Sequence, residues 1–324
     1  LDTNDDGEIQ VSEAEPRNGL YVRNQTISSL VAIENFINQT SLSCRNNNLT
    51  TLDLSALSNL TSLSCDTNQL TELNITGLID LTYIDCSRNE LSELDVNSFT
   101  NLHTLFCYEN NISLLEINTL VNLNFLSCSN NQLTDLDITN SPNLEYFDCS
   151  YNNLNSIDLS TQSYFESFAC SGNNLTSLDL TSLDYVGQMY ANNNQLTSIN
   201  LCEIRDYLHV FGNLLTELDV SNSTTLEEVI CYDNFITSLD ISNNPLVTSV
   251  YVANNELTSL TLGNGEALGW CCDVLFEGNP DLSFVCTIED NFDEVQTLLT
   301  EYGYTSCTIS SYCSFEPYGE YYVI

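Results

Sequence analysis

The chain has 324 residues and a formal charge of -40, from 45 acidic side chains against 5 basic ones, all arginine. A surface so short of cations excludes nucleic acid and anionic membranes as partners, because phosphate recognition needs clustered Lys and Arg. No stretch approaches the roughly 18 apolar residues of a membrane span, so direct membrane insertion is not expected.

Residues 1–15 open the chain with a metal-loop pattern. Asp2-Thr3-Asn4-Asp5-Asp6-Gly7-Glu8-Ile9-Gln10-Val11-Ser12-Glu13 fits the twelve-residue EF-hand loop at every defined position. Asp2, Asn4 and Asp6 would offer side-chain oxygens to calcium and Glu8 its carbonyl. Gln10 would bind directly or through water, and Glu13 would close the shell with both oxygens. Gly7 permits the sharp turn. With no helix before it, the loop reads as a structural brace for the N-terminal cap, 16–40, and not as a sensor. Neither an initiator Met nor an export signal is present, so the expectation is a processed piece of a longer exported chain.

From residue 41 to 282 one line recurs about every 21 residues, as in Leu60-x-x-Leu63-x-Cys65-x-x-Asn68-x-Leu70-x-x-Leu73-x-Ile75. Cysteine holds one column at Cys44, Cys65, Cys86, Cys107, Cys128, Cys149 and Cys170. Ala191, Val210, Cys231, Val252 and Phe276 continue it. Asparagine follows three residues later every time, from Asn47 to Asn279, and Val22 with Gln25 reads as a degenerate first coil. The line resembles the leucine-rich-repeat signature L-x-x-L-x-L-x-x-N-x-L. That resemblance implies an α/β-type solenoid dominated by short parallel strands, a horseshoe or arc of about twelve coils. Each Leu-x-Cys would lie in a concave strand and each asparagine would satisfy backbone groups at a buried turn. The following Leu-Thr-x-Leu-Asp-Leu alternates with period two and predicts a second, convex strand in every row. The 19-residue spacing from Ala191 to Val210 and the 24-residue spacing from Val252 to Phe276 are expected to fall in turns.

The column cysteines would point the same way from parallel strands, which orients their sulfurs badly for disulfides. They read as small, polarisable core residues. Six others lie off the column: Cys202, Cys271, Cys272, Cys286, Cys307 and Cys313. In the C-terminal region, 283–324, a disulfide is expected between Cys286 and Cys307, clamping a capping helix predicted over 290–302. Phe292, Val295, Leu298, Leu299 and Tyr302 form its apolar stripe, and Gly303 ends it. The order of calcium loop, cap, cysteine–asparagine repeats and C-terminal helix is similar to secreted leucine-rich-repeat proteins of Bacteroidota-type bacteria. This resemblance implies an extracellular or cell-surface location.

Outward positions of the concave strands, at minus three, minus one and plus one from the core column, carry two aromatic groups. The first is Tyr83, Phe106, Tyr108, Phe125 and Tyr146, with Asp85 and Asp148 beside it. The second is Tyr190, Tyr207, His209, Phe211, Tyr232 and Tyr251, with Glu228 and Ile230. Rings on a solvent face supply rigid contact area, although they could instead pack across strands and merely stiffen the sheet. The convex column of Asp53, Asn74, Asp95, Glu116, Asp137, Asp158, Asp179, Asn200, Asp219, Asp240 and Thr261 needs something to offset its repulsion, most simply hydrogen bonds to turn amides, with collected cations as the alternative. Two histidines far apart in sequence, with Asp85 and Asp148 on the order of 14 Å apart, give no catalytic arrangement. The reading is a calcium-stabilised binding or adhesion module for a protein or neutral glycan. A self-assembling surface-layer or fibre protein is the alternative.

Chelation of calcium is expected to lower the melting temperature without changing the oligomeric state. At a calcium concentration of about 100 times Kd the stabilisation lost is about 2.7 kcal/mol. Thermal melts and light scattering in calcium and in chelator check both parts.

Overall fold

The computed structural model describes residues 18–262, 274–311 and 313. The Asp2–Glu13 loop and the Cys271–Cys272 pair lie outside the described residues. The architecture is a parallel-strand solenoid of about 13 turns with one short C-terminal α-helix. Two compact units divide the chain, 1–165 and 166–324.

In the first unit the strands Gly19–Tyr21, Ser41–Ser43, Ser62–Ser64, Tyr83–Asp85, Thr104–Phe106, Phe125–Ser127 and Tyr146–Asp148 follow one another in parallel. From Ser41 onward the register partner is the residue 21 positions later, as in Ser62 with Tyr83. Gly19–Tyr21 pairs with Ser41–Ser43, so the degenerate first coil is a real coil. The second unit carries Tyr185–Tyr190, Glu203–His209, Glu228–Ile230, Ser249–Tyr251 and Val274–Leu275 in the same way. Here the short coil differs from the rest. Glu203–His209 begins only three residues after the second-row strand Ser198–Asn200, and its first register partner, Tyr185, lies 18 residues back, three short of the usual 21. A bulge between Val186 and Gln188 then absorbs one residue of register.

The pleat sends alternate side chains inward. Leu42, Leu63, Ile84, Leu105 and Leu126 are at most 1% exposed, and every column cysteine is fully buried. Two residues beyond each column position the chain turns with positive φ. Asn46, Thr67, Arg88, Glu109, Asn130 and Tyr151 adopt it in the first unit, and Gly172, Asn193, Gly212, Asp233, Asn254 and Gly278 in the second. At Gly212 and Gly278 an added Cβ would also press on the Oδ1 of Asn193 and Asn254 respectively. Elsewhere non-glycine residues tolerate the left-handed turn at a cost of about 1 kcal/mol each.

That turn points backbone carbonyls into the body, and the asparagine amide answers them. Asn89 Nδ2 donates to the carbonyls of Cys86 (3.0 Å), Ser87 (3.1 Å) and, one coil back, Cys65 (3.1 Å). Its Oδ1 accepts from the Leu70 amide at 3.0 Å. Asn110, Asn152, Asn194, Asn234 and Asn255 make the same contacts.

The second strand forms in only part of the rows. It pairs at Thr51–Asp53 with Glu72–Asn74, at Ser177–Asp179 with Ser198–Asn200, and from Ser238–Asp240 through Ser259–Thr261 and Phe284–Cys286 to Thr308–Ser310. Elsewhere the equivalent residues, such as 94–96 and 115–117, keep the alternating burial without the ladder. Phe284–Cys286 extends this row beyond residue 282, so the repeat register continues into the C-terminal region.

The C-terminal helix spans Phe292–Glu301, preceded by a 3-10 turn at Glu289–Asn291. It buries Val295 and Leu299 and ends at Gly303, whose φ is +81°. Tyr304 seals the last coil: its hydroxyl donates to the Phe276 carbonyl at 2.9 Å and accepts from the Asn279 amide at 2.8 Å. The disulfide joins Cys286 to Cys313, with Cα atoms 5.4 Å apart, and not Cys286 to Cys307. Cys286 lies opposite Ser310, so Cys307 is three residues upstream along the neighbouring strand, roughly 10 Å away, and the bridge is made from the other end of that strand, by Cys313. Cys307 is a half-buried free thiol, and Cys202 a buried one.

Asn89→Ala leaves the Leu70 amide without its partner and takes one of the donors from each of the Cys65, Cys86 and Ser87 carbonyls. It is expected to destabilise the protein by about 2–4 kcal/mol, read from the denaturant midpoint. Cys313→Ser should cost about 3 kcal/mol for its 27-residue loop, whereas Cys307→Ser should leave the melt almost unchanged. Peptide mapping that found a Cys286–Cys307 bridge in the native protein would overturn this assignment.

Candidate functional site

The same alternation that buries the leucines presents the remaining strand positions to solvent. In the first unit these carry Tyr83 and Phe106, edge to face with ring centroids 6.0 Å apart, and Phe125 and Tyr146, stacked at 4.6 Å with planes 7° apart. Tyr108 lies beneath the Arg88 guanidinium at 5.5 Å, and Arg88 reaches Glu109 at 3.2 Å. Asp85 sits on the same face. Partial burial pushes its carboxyl up, bonds from the Ser87 hydroxyl (2.6 Å) and amide (3.1 Å) pull it down, and nearby Asp66 raises it further.

The second unit brings its six expected residues onto consecutive coils. Tyr190 meets His209 edge to face at 5.0 Å, and Tyr207 lies 6.4 Å from the same imidazole. His209 Nε2 is 2.7 Å from Glu228 Oε1. Phe211 and Tyr232 stack at 4.5 Å, and Tyr251 stands opposite Ile230 on the next strand. All six rings are partly exposed. Desolvation raises the Tyr190 hydroxyl's pKa, with the charges of Tyr207, Glu228 and Asp206 adding to it. The rings therefore do both things weighed from the sequence: neighbours pack across strands, and each pair keeps a surface toward solvent.

Two features of this unit escaped the sequence reading. The position four residues after the core column holds Asn48, Gln69, Glu90, Asn111, Gln132, Asn153, Asn174 and Gln195, then Leu214 and Phe235, then Glu256. Leu214 and Phe235 are 43% and 44% exposed, so an apolar edge borders the coils that carry the Phe211–Tyr232 stack. The polar column made both exceptions visible. The other feature is a nest upstream of Tyr207. The Arg205 guanidinium lies 3.4 Å over the Tyr185 ring and 3.7 Å from Glu203, and the Tyr185 hydroxyl donates to Glu166 at 2.7 Å.

No family model and no curated protein matches the chain. Solved structures do. The functional domain of InlJ from Listeria monocytogenes, described as including a cysteine ladder, is 29% identical with a TM-score of 0.60, over 85% of this chain and 68% of that one. The internalin inlF of the same species is 20% identical with a TM-score of 0.71, over 95% and 90%. YopM from Yersinia pestis, a leucine-rich effector protein, is 24% identical with a TM-score of 0.59, over 83% and 76%. The fold is that of the leucine-rich repeats.

Within this leucine-rich-repeat fold the cysteine column is a row of buried cysteines outside the disulfide, from Cys44 to Cys170, with Cys231 further on. Burial pushes Cys44 and Cys231 up to about 12 and raises Cys65, Cys86, Cys107 and Cys128 as well. They are thiols, not thiolates, and so poor nucleophiles and metal ligands. The aspartates of the second row are satisfied locally. Asp137 Oδ1 accepts from the Thr139 hydroxyl (2.6 Å) and amide (2.9 Å), and Asp179 from those of Thr181 (2.7 and 3.0 Å). These bonds hold Asp53, Asp137, Asp158, Asp179 and Asp219 below the ordinary carboxylate pKa.

Proposed function

We propose that the chain is an extracellular binding module that holds a protein ligand on the aromatic strand face, chiefly through the second unit. One observation carries this: Tyr190, Tyr207, Phe211 and Tyr232 stay partly exposed on adjoining coils, bordered by Leu214 and Phe235 in a column that is otherwise polar from Asn48 to Glu256. Rings held by cross-strand packing lose little conformational entropy on contact, which suits them to anchor a partner. The likeness to bacterial leucine-rich-repeat structures supports a binding role. The Cys286–Cys313 disulfide supports an oxidising, extracellular setting. Among the described residues no helix is long and apolar enough to cross a membrane. Calcium at Asp2–Glu13 belongs to the same proposal, as a brace remote in sequence from the binding face.

The test is a protein and glycan array probed with the wild-type chain and with the triple variant Tyr190→Ala, Tyr207→Ala, Phe211→Ala. The three rings are expected to supply at least 2 kcal/mol, so ligand affinity should fall by about 30-fold or more while the melt is little changed. Unaltered binding by the triple variant would move the site off this face. A response confined to sugars would replace the protein ligand with a glycan.

A further inference from the structure

The chain shows within itself what a tyrosine on its surface attracts. Arg205 lies 3.4 Å over Tyr185 with Glu203 beside it, Arg88 lies 5.5 Å over Tyr108 with Glu109 beside it, and Arg23 lies 4.8 Å over Tyr21. The unit is the same in two of the three: an aromatic face, a carboxylate and a guanidinium between them. A guanidinium suits this arrangement because it is planar and weakly hydrated, so it stacks on a ring while its N–H groups reach a carboxylate.

Among the described residues the Tyr190–Tyr207 patch has the rings, the acids and the His209 imidazole without a stacked guanidinium. Glu228 and Asp206 lie near enough to raise the Tyr190 pKa, and Glu228 gives one carboxylate oxygen to His209. The chain has no lysine and only five arginines. Three of these are already stacked, and Arg45 lies in the first unit, near enough to Asp85 to pull its carboxyl down. Among the described residues no arginine is left to stack on this patch, so a guanidinium for it would come from another molecule. A second copy of the chain, at -40, is repelled.

We propose that the Tyr190–Tyr207–Glu228 patch recognises a basic segment of a partner protein, whose arginine side chains stack on the tyrosines as Arg205 stacks on Tyr185. This rests on the binding reading above and narrows its ligand to an arginine-bearing chain. The surrounding charge adds long-range attraction for such a partner, and the rings select guanidinium from other cations at contact.

The probe is a twelve-residue Gly-Ser peptide carrying four arginines, titrated calorimetrically into the whole chain at near-physiological salt. An otherwise identical peptide with citrulline for arginine keeps the shape and removes the charge. The arginine peptide is expected to bind at least about tenfold tighter, the scale of one partly desolvated cation–π contact. Tyr190→Ala with Tyr207→Ala should remove most of that difference. Glu228→Gln, which keeps a partner for His209, should remove part of it. Asp179→Asn, Asp219→Asn and Asp240→Asn together, in the second row, should change affinity by no more than about twofold if the contact is local. Circular dichroism and melting of each variant confirm folding.

Equal affinity for the two peptides overturns the proposal, and so does absence of binding at millimolar arginine peptide. Equal loss from the second-row aspartates also overturns it, because binding would then follow diffuse charge. If both peptides bind alike and both weaken in the tyrosine variant, the face survives as a binding surface and only the cation is lost. If no binding depends on the tyrosines, the binding reading fails too.

Discussion

Everything in this molecule depends on how a buried tight turn satisfies its own carbonyls. A chain that reverses inside the body leaves backbone oxygens away from water, and each unpaired one costs on the order of 1–3 kcal/mol. The asparagine column meets that demand at both ends of one amide. Nδ2 takes carbonyls from its own coil and the coil before, and Oδ1 takes an amide from the coil before. The same side chain therefore closes one turn and fastens it to its neighbour, which makes the coil spacing regular. Regular spacing in turn lets leucine stack on leucine and thiol on thiol.

The outer surface solves a different problem by similarly local means. Carboxylates repeated one coil apart would repel, yet the aspartates of the second row turn back onto the hydroxyl or amide two residues on, as Asp137 does with Thr139, and Glu116 accepts from the Asn97 side chain. The charge is held in place by a bond that stabilises the ionised form, so the row is a product of turn chemistry and demands no bound cation. The strand face is less self-sufficient. Its arginines are paired with rings and acids, and the rings of the second unit outnumber the cations available to them.

Periodicity made the solenoid, the inward column and the outward face legible, because burial alternates strictly along each strand and asparagine has one structural task. It failed where the decisive quantity was not a residue type. Cys286 and Cys307 looked paired because they flank the helix, but Cys307 lies three residues upstream of the residue opposite Cys286, and the bridge is made by Cys313 beyond it. The second strand was expected in every row, since the alternating pattern is the same where the ladder forms and where it does not. The left-handed turn two residues beyond the column was invisible, because Thr67, Arg88, Glu109 and Tyr151 are not residues that announce positive φ. Which rings would touch, and how Arg205 would lie on Tyr185, depended on side-chain directions that spacing does not encode.

The shortened coil has a consequence for how such a chain finds a single structure. Nearly identical rows that pair through nearly identical asparagines make a mis-threaded alignment, displaced by one whole row, almost as favourable as the correct one. The Glu203–His209 strand breaks that degeneracy. It is long, its connection is three residues short, and the bulge that restores one of them faces Gly187, where any added Cβ would meet the Glu166 carbonyl at 2.5 Å. Only one row fits that seat. The irregular coil thus acts as an index mark on an otherwise uniform ruler, against which the neighbouring rows are counted.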